Sequence, residues 1–283
     1  MWDIEPLLRC PYCHAKLSVL RCTVCDRQYE ARNGIFYMYD PGEEHWQKCE
    51  AQLKALFRLE SPDAPASHDR TGYPYVDLEI AALPQKANAG MFNVALDLIG
   101  ERLYLDEGPI YVGGAFRGWA AFYFADYAPV IAVDISDHRC FGMGSMPTDV
   151  GCGIAKVIAD CCVSPLPDES VSVVFMCSTF HHLHDKALGL NEIYRILKPG
   201  GCFVAIGDRP TNPGNIESVL EDGIRDYEGP PYIENDVLSW FERSGFDDIR
   251  MLYIDYSDHM ERLGYFSLVK PDGANAIIYG VKN

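Results

Sequence analysis

The chain has no uninterrupted apolar stretch long enough to cross a bilayer, and its opening residues, Met1-Trp2-Asp3-Ile4-Glu5-Pro6, have neither the basic run nor the apolar segment of a secretory signal. Both absences lead to the expectation of a soluble, cytoplasmic protein with no membrane span. Basic charge is also scarce. Against 41 Asp+Glu stand only 24 Lys+Arg, a net charge of −17, and such a surface repels a phosphate backbone. A nucleic acid is therefore a disfavoured partner. Arg21, Arg27 and Arg32 form the one visible basic cluster, first read as solvated surface. No internal repeat is visible. Disulfides are not indicated either: of 11 cysteines four cluster, and others, such as Cys177 and Cys202, sit in apolar stretches, as in a reducing compartment. With 283 residues, 48% of them hydrophobic, the chain can bury one sizeable core with a small appendage.

The clustered cysteines are Cys10-Pro11-Tyr12-Cys13 and Cys22-Thr23-Val24-Cys25, two CxxC knuckles separated by eight residues. Four thiolates at this spacing make one tetrahedral zinc site. A segment of about forty residues buries too little apolar surface to fold alone, and metal binding supplies the missing free energy. A redox CxxC is the rival reading, but it needs one motif beside a strand and a helix. Four sulfur ligands fill the coordination sphere, so the expected role is structural. The following stretch, from Tyr29 through Gly34-Ile35-Phe36-Tyr37-Met38, resembles the end of the short zinc-ribbon proteins that activate tRNA and protein methyltransferases, and of ribbons fused to other methyltransferases. That resemblance implies a docking or substrate-presenting module, and with it a protein partner.

Beyond the ribbon, Trp46, Cys49, Leu53, Leu56 and Phe57 recur at helical spacing within residues 43–59, followed by a linker-like Ser61-Pro62-Asp63-Ala64-Pro65-Ala66-Ser67. Tyr73 and Tyr75 flank Pro74 in the same region, where they read as a surface loop or as cover for a pocket. Phe92, Ala95, Leu96, Ile99 and Leu103 predict a further helix. The resulting division is a ribbon over 1–40, a helical connector over 41–90 and a main domain over 91–283.

The main domain begins with the strand Ile110-Tyr111-Val112, a turn at Gly113-Gly114-Ala115-Phe116-Arg117-Gly118 and a helix from Trp119. Such a turn lets the backbone approach a ligand and presents helix N–H groups to it. A second strand, Val130-Ile131-Ala132-Val133, ends in Asp134, 21 residues after Gly113, where a ribose diol would be held. A dinucleotide-binding dehydrogenase reads the same way at this point. Lys156-Val157-Ile158-Ala159-Asp160-Cys161 is a third strand ending in an acid. Then follow Leu166-Pro167-Asp168, the strand 172–177, Ser178-Thr179-Phe180-His181-His182-Leu183-His184, a helix from 186 to 197 and its stop at Lys198-Pro199-Gly200-Gly201.

Taken together, residues 108–210 resemble the small-molecule type of class I S-adenosylmethionine-dependent methyltransferase. The resemblance implies an α/β, Rossmann-like doubly wound sheet of seven mixed strands. It places Gly113, Gly114, Ala115 and Gly118 around the cofactor, Asp134 on its ribose hydroxyls, and Asp160 with the Cys161 amide at its adenine. In this family Tyr111 is usually an acid and Ala115 a glycine. A strand-end acid capping a turn is the alternative reading of Asp160. Ser178, His181 and His182 fall beyond a strand's carboxyl end, where cofactor and acceptor would meet. Imidazole removes protons near neutral pH, so His182 and His184 are the expected bases, with capping or packing as the alternative.

Toward the C-terminus, Asp208 and Arg209 lie at the same sheet edge, facing an acceptor or paired with each other. A helix over 235–246 ended by glycine, then strands 249–254 and 276–281, fit the reversed final hairpin; residues 257–274 read as a lid or a hairpin insertion. The function expected is methyl transfer to a small-molecule, lipid or sugar-like acceptor. RNA methylation with the ribbon docking the substrate, and a non-catalytic interaction protein, are the alternatives.

Overall fold

The computed structural model describes residues 3–44, 46–47, 83–103, 108–138, 142–146, 153–208, 232–255 and 274–283. The helix expected at 43–59 beyond Gln47, the linker at 61–67, Tyr73, Tyr75, Arg209 and nearly all of 257–274 lie outside them.

Eleven strands are described: β1 (Leu17–Ser18), β2 (Arg21–Cys22), β3 (Glu30–Arg32), β4 (Ile35–Tyr37), β5 (Ile110–Gly113), β6 (Val130–Asp134), β7 (Ile154–Ile158), β8 (Val171–Cys177), β9 (Leu197–Asp208), β10 (Asp247–Asp255) and β11 (Ala274–Val281). The helices are α1 (Leu83–Ile99), α2 (Trp119–Phe124), α3 (Lys186–Ile196) and α4 (Glu234–Ser244). β1 and β2 form a two-stranded sheet; the other nine form one sheet in the order β10-β11-β9-β8-β5-β6-β7-β4-β3.

Seven of these nine, β5 to β11, are the strands expected of the main domain. The expected total of seven is corrected to nine because β4 of the ribbon pairs in parallel with β7, in the register Ile35↔Lys156, Phe36↔Val157 and Tyr37↔Ile158. β3 then closes the edge by an antiparallel hairpin. Its turn, Asn33-Gly34, has φ of 52° and 74°, the left-handed pair that a two-residue hairpin turn requires. β4 to β9 are parallel neighbours, whereas β11 runs antiparallel between β9 and β10.

Two-residue alternation sorts each strand between two cores. Tyr111, Ile131, Val133, Val174, Met176, Phe203, Ala205 and Ile278 face one core, which holds α3 and α4 residues such as Leu190, Ile193, Val237 and Phe241. Ile110, Val112, Val130, Ala132, Phe175, Val204 and Ile277 face the other, with Met91, Ala95 and Ile99 of α1 and Phe122 and Phe124 of α2. Burial on both faces is why these strands read as continuous apolar runs. The ribbon shares these cores: Ile4, Leu8 and Met38 pack into the first, Ile35 and Tyr37 into the second.

The helix ends follow local chemistry. The Asp185 carboxylate accepts the Leu188 N–H at 2.9 Å and caps α3. α3 stops where Leu197 turns extended, just ahead of Lys198-Pro199. α4 ends at Gly245, φ 90°, with the Phe246 N–H returning to the Phe241 carbonyl at 3.1 Å.

Phe241 is fully buried, 4.9 Å from Phe246 and 5.8 Å from Phe203 between ring centroids. Phe241→Ala should therefore cost about 3–5 kcal/mol in urea unfolding; a loss below about 1 kcal/mol would show that α4 contributes little to this core.

Candidate functional site

β5, β6, β7 and β8 are parallel and end on one side of the sheet, so their carboxyl-end loops converge there. After β5, Gly114 has φ 62°, and a Cβ on it would overlap the Thr179 side chain. Glycine alone lets this loop lie so close to the loop after β8. Gly118 has φ 84° and begins α2, with Met146 filling the space a side chain would need. Ala115 donates its N–H to the Val133 carbonyl at 3.0 Å, tying the loop to β6. Tyr111, where an acid is usual, is buried beside the Cys161 thiol, which also lies against Gly113.

Asp134 ends β6, and its carboxylate accepts the Phe116 N–H at 2.8 Å and the Ser136 N–H at 2.9 Å. Burial nevertheless raises its pKa from 3.8 to about 6, against the lowering effect of the Phe116, Ser136 and Ile135 amides. Two non-glycine residues here take left-handed backbone, Phe116 at φ 48° and Ser178 at φ 49°. Strain of this kind persists where the surroundings over-determine it, as at ligand sites.

Asp160 lies two residues past β7. Its carboxylate accepts the Cys162 N–H at 2.8 Å and faces His184 Nδ1 at 3.4 Å. It borders a shallow cleft whose opposite side comes from the ribbon.

The loop after β8 carries three histidines to different places. His184 reaches Asp160. His181 turns inward: its backbone N–H donates to Asp208 Oδ1 at 2.9 Å and its ring Nδ1 lies 2.8 Å from the same oxygen. His182 is exposed and lies against His181, ring centroids 4.1 Å apart. Asp208, at the end of β9, is fully buried; its Oδ2 has no hydrogen-bond partner among the described residues, nor has the buried Tyr232 hydroxyl. The Lys186 ammonium, 5.0 Å from the Tyr232 ring centre, donates to the Leu183 carbonyl at 3.2 Å, and burial lowers its pKa to about 8.

The pairing of His181 with Asp208 went unread in the sequence, although both residues were singled out. Twenty-seven residues separate them, and only the parallel pairing of β8 with β9 brings them together. Lys186 had no signal, because its burial depends on Tyr232 arriving from beyond β9.

In the ribbon the four thiols converge. Cys10 and Cys25 Sγ lie 3.5 Å apart, Cys13 and Cys22 Sγ 3.4 Å apart, and all four within 4.8 Å of one another. A tetrahedron with Zn–S bonds of about 2.3 Å has edges of about 3.8 Å, so the cluster fits that ion. Val24 and Cys25 donate their N–H groups to Cys22 Sγ, and the Arg27 backbone and guanidinium hold the Cys25 thiol down at about 6. His14 and Asp26, each following a knuckle's second cysteine, have φ of 54° and 64°.

Comparison with known proteins bears on the sheet's central loops. Residues 112–205 match the family model described as a methyltransferase domain. This stretch is similar to that family over roughly a third of the chain. The dimethylglycine N-methyltransferase of Parasynechococcus marenigrum is 28% identical over 167 residues, 55% of this chain and 58% of that protein. Phosphoethanolamine N-methyltransferase 1 of Arabidopsis thaliana is 26% identical over 114 residues, 40% of this chain and 23% of that protein. The chain thus spans less than two thirds of either relative. Geranyl diphosphate C-methyltransferase of Streptomyces coelicolor A3(2), solved with Mg2+, geranyl diphosphate and S-adenosyl-L-homocysteine, superposes with a TM-score of 0.57. It is 15% identical, covers 70% of this chain and 80% of its own, and shares the fold. The matched stretch includes the glycine loop, Asp134, Asp160 and the three histidines. Among the described residues no helix is long and apolar enough to cross a membrane.

The raised pKa of Asp134 has a consequence for stability. Between about pH 4 and 6 the folded protein holds this proton and the unfolded chain releases it, so stability at this group falls as pH rises through that window. Asp134→Asn should flatten this part of the stability profile in urea titrations; an unchanged slope would mean that the carboxylate is solvated.

Proposed function

We propose that the protein transfers a methyl group from S-adenosylmethionine to a small-molecule acceptor, and that His181 takes the acceptor's proton. The observation that carries this reading is the convergence, at the carboxyl end of one sheet, of the glycine loop, Asp134 and Asp160 beside a histidine supported by a buried carboxylate. The named activities of the two sequence relatives, on dimethylglycine and phosphoethanolamine, support the small-molecule class.

The residues fit the cofactor. Gly114, with Thr179 against it, lets the 113–118 loop close on the loop after β8, which keeps its backbone at the carboxyl end of the sheet where a cofactor would lie. The Asp134 carboxylate would accept the ribose hydroxyls, and Asp160, with the Cys161 amide beside it, the adenine amino group. Gly113, Ala115, Gly118 and Ser178 would line the same crevice. When bound, the cofactor supplies an electrophilic methyl on a cationic sulfur.

An acceptor atom in line with that methyl would take it, with the electron pair left on the cofactor's sulfur. The chain aligns the acceptor and excludes water. With Nδ1–H donating to Asp208, His181 Nε2 keeps its lone pair for the proton that an acceptor hydroxyl or ammonium must lose. Asp208 is the positioning residue. His182 and His184 were the expected bases; in this proposal His182 flanks His181, and His184 serves the Asp160 end. The four cysteines would hold structural zinc, outside the reaction.

Calorimetry with S-adenosylhomocysteine should show binding that Asp134→Ala weakens roughly tenfold or more, as for a hydrogen bond to a charged group. On amine and hydroxyl acceptors, His181→Ala should lower kcat by roughly 10²–10⁴ with cofactor affinity kept, and Asp208→Asn should shift the pH profile of kcat. Absence of binding to the native protein would leave the non-catalytic interaction protein ahead. Salt-sensitive methyl incorporation into RNA would replace the small-molecule reading.

A further inference from the structure

The cleft at Asp160 is built from two parts of the chain. Asp160 and Val163 form the side belonging to the main sheet; Pro11 and Tyr12, Met38 and Tyr39, and Trp46 form the other. Pro11 and Tyr12 are the two residues between the ligand cysteines of the first knuckle. We propose that this ribbon face is the second wall of the adenine subsite, so that metal held by the four cysteines sets the affinity for the nucleoside end of the cofactor. The inference rests on the cofactor assignment above and extends it to residues outside the matched stretch.

Two backbone contacts hang the wall over the loop that carries Asp160. On one side the Arg9 N–H donates to the Pro165 carbonyl at 2.8 Å; on the other the Met38 N–H donates to the Ile158 carbonyl at 2.8 Å. Residues 159–164 lie between these attachment points. A third tie runs to the ribose side, where the Tyr37 hydroxyl donates to Asp137 Oδ2 at 2.9 Å, three residues beyond Asp134. The wall is aromatic. Tyr39 and Trp46 stack with ring centroids 4.0 Å apart at 16°, and a flat heterocycle gains from such rings through dispersion and stacking.

The metal site connects to this wall through short contacts. Arg27, two residues past Cys25, places its guanidinium 4.2 Å from the Tyr12 ring centre and 3.5 Å from the Asp40 carboxylate. The Asp40 N–H in turn donates to the Tyr12 hydroxyl at 2.8 Å. Cys10 Sγ, buried, lies 3.1 Å from the Tyr29 hydroxyl. With the four thiolates bound, the knuckle backbone is fixed and Tyr12 with it; without metal, the Cys10–Cys13 loop keeps its backbone hydrogen bonds, His14 N–H to the Cys10 carbonyl and Cys10 N–H to the Ala15 carbonyl, but loses the four-sulfur cross-link that ties it to the second knuckle.

Calorimetry on the full, metal-loaded chain tests this, with S-adenosylhomocysteine and adenosine as separate probes. Tyr39→Ala and Trp46→Ala should each weaken both probes by about tenfold, and Cys13→Ser, or chelation followed by removal of chelator, should do the same. Tyr39→Leu serves where the alanine variant does not fold, and hydrogen exchange of β5 and β8 shows whether the main sheet persists. Wild-type affinity in a folded wall variant, or in the metal-free protein, overturns the proposal. So does a loss confined to S-adenosylhomocysteine, because the wall would then act at the amino-acid end. If the native protein binds neither probe, the cofactor assignment itself fails.

Discussion

Parallel pairing of β4 with β7 joins the cysteine-rich segment to the sheet on which the site is built. An open sheet edge exposes unpaired amide and carbonyl groups that must be covered. Here the cover is three residues long, too short to hold by ladder hydrogen bonds alone. Its register is fixed from behind, where Ile35 and Tyr37 are buried in one core and Met38 in the other. The four-thiol cluster lies on the chain leading into β3, where a bound metal would cross-link it, so metal binding and sheet extension would each make up for what the other lacks. The outer strand, β3, carries exposed Glu30 and Arg32, charges that discourage further strand addition.

The loop after β8 is organised by a different constraint, a buried carboxyl group. Asp208 has no solvent exposure; one of its oxygens accepts the His181 backbone N–H and lies 2.8 Å from the ring Nδ1, while the other is unmatched among the described residues. An unpartnered buried acceptor costs about 1–3 kcal/mol, more when charged, and the orphaned Tyr232 hydroxyl adds to it. Lys186, held short of full proton affinity by burial, gives partial electrostatic compensation. A fold chosen for stability alone would replace such a group with apolar side chains; retaining it fits a site where a ligand completes the set.

How much of this was legible follows from range in sequence. Strands β5, β6, β8 and β11 carry their signal in consecutive residues, because burial on both faces writes a continuous apolar run. Asp134 and Asp160 could be placed by strand-end position, and the stop of α3 by Lys198-Pro199-Gly200-Gly201. The ninth strand was not legible. β4 is three residues long, and nothing in Ile35-Phe36-Tyr37 names β7, some 120 residues on, as its partner. The same holds for the His181–Asp208 pair and for the wall around Asp160, whose members come from residues 11, 39, 46 and 160. Dividing the chain at residue 40 separated the ribbon by composition, but composition does not record that its last hairpin completes another domain's sheet.

The ribbon arginines bear on the choice between acceptor classes. A nucleic-acid surface needs cations free to replace counterions along the phosphate backbone. Arg21 is paired with Asp26, Arg27 with Asp40 at 3.5 Å, and Arg32 with Glu30 at 3.1 Å. Two of them also lie over rings, Arg27 on Tyr12 and Arg32 on Tyr37. Each positive charge therefore has an acid beside it. Added to a net charge of −17, this leaves the ribbon suited to packing against its own sheet and poorly suited to gripping RNA. It is the charge arrangement expected if the ribbon serves the cofactor cleft and a small acceptor enters from the His181 side.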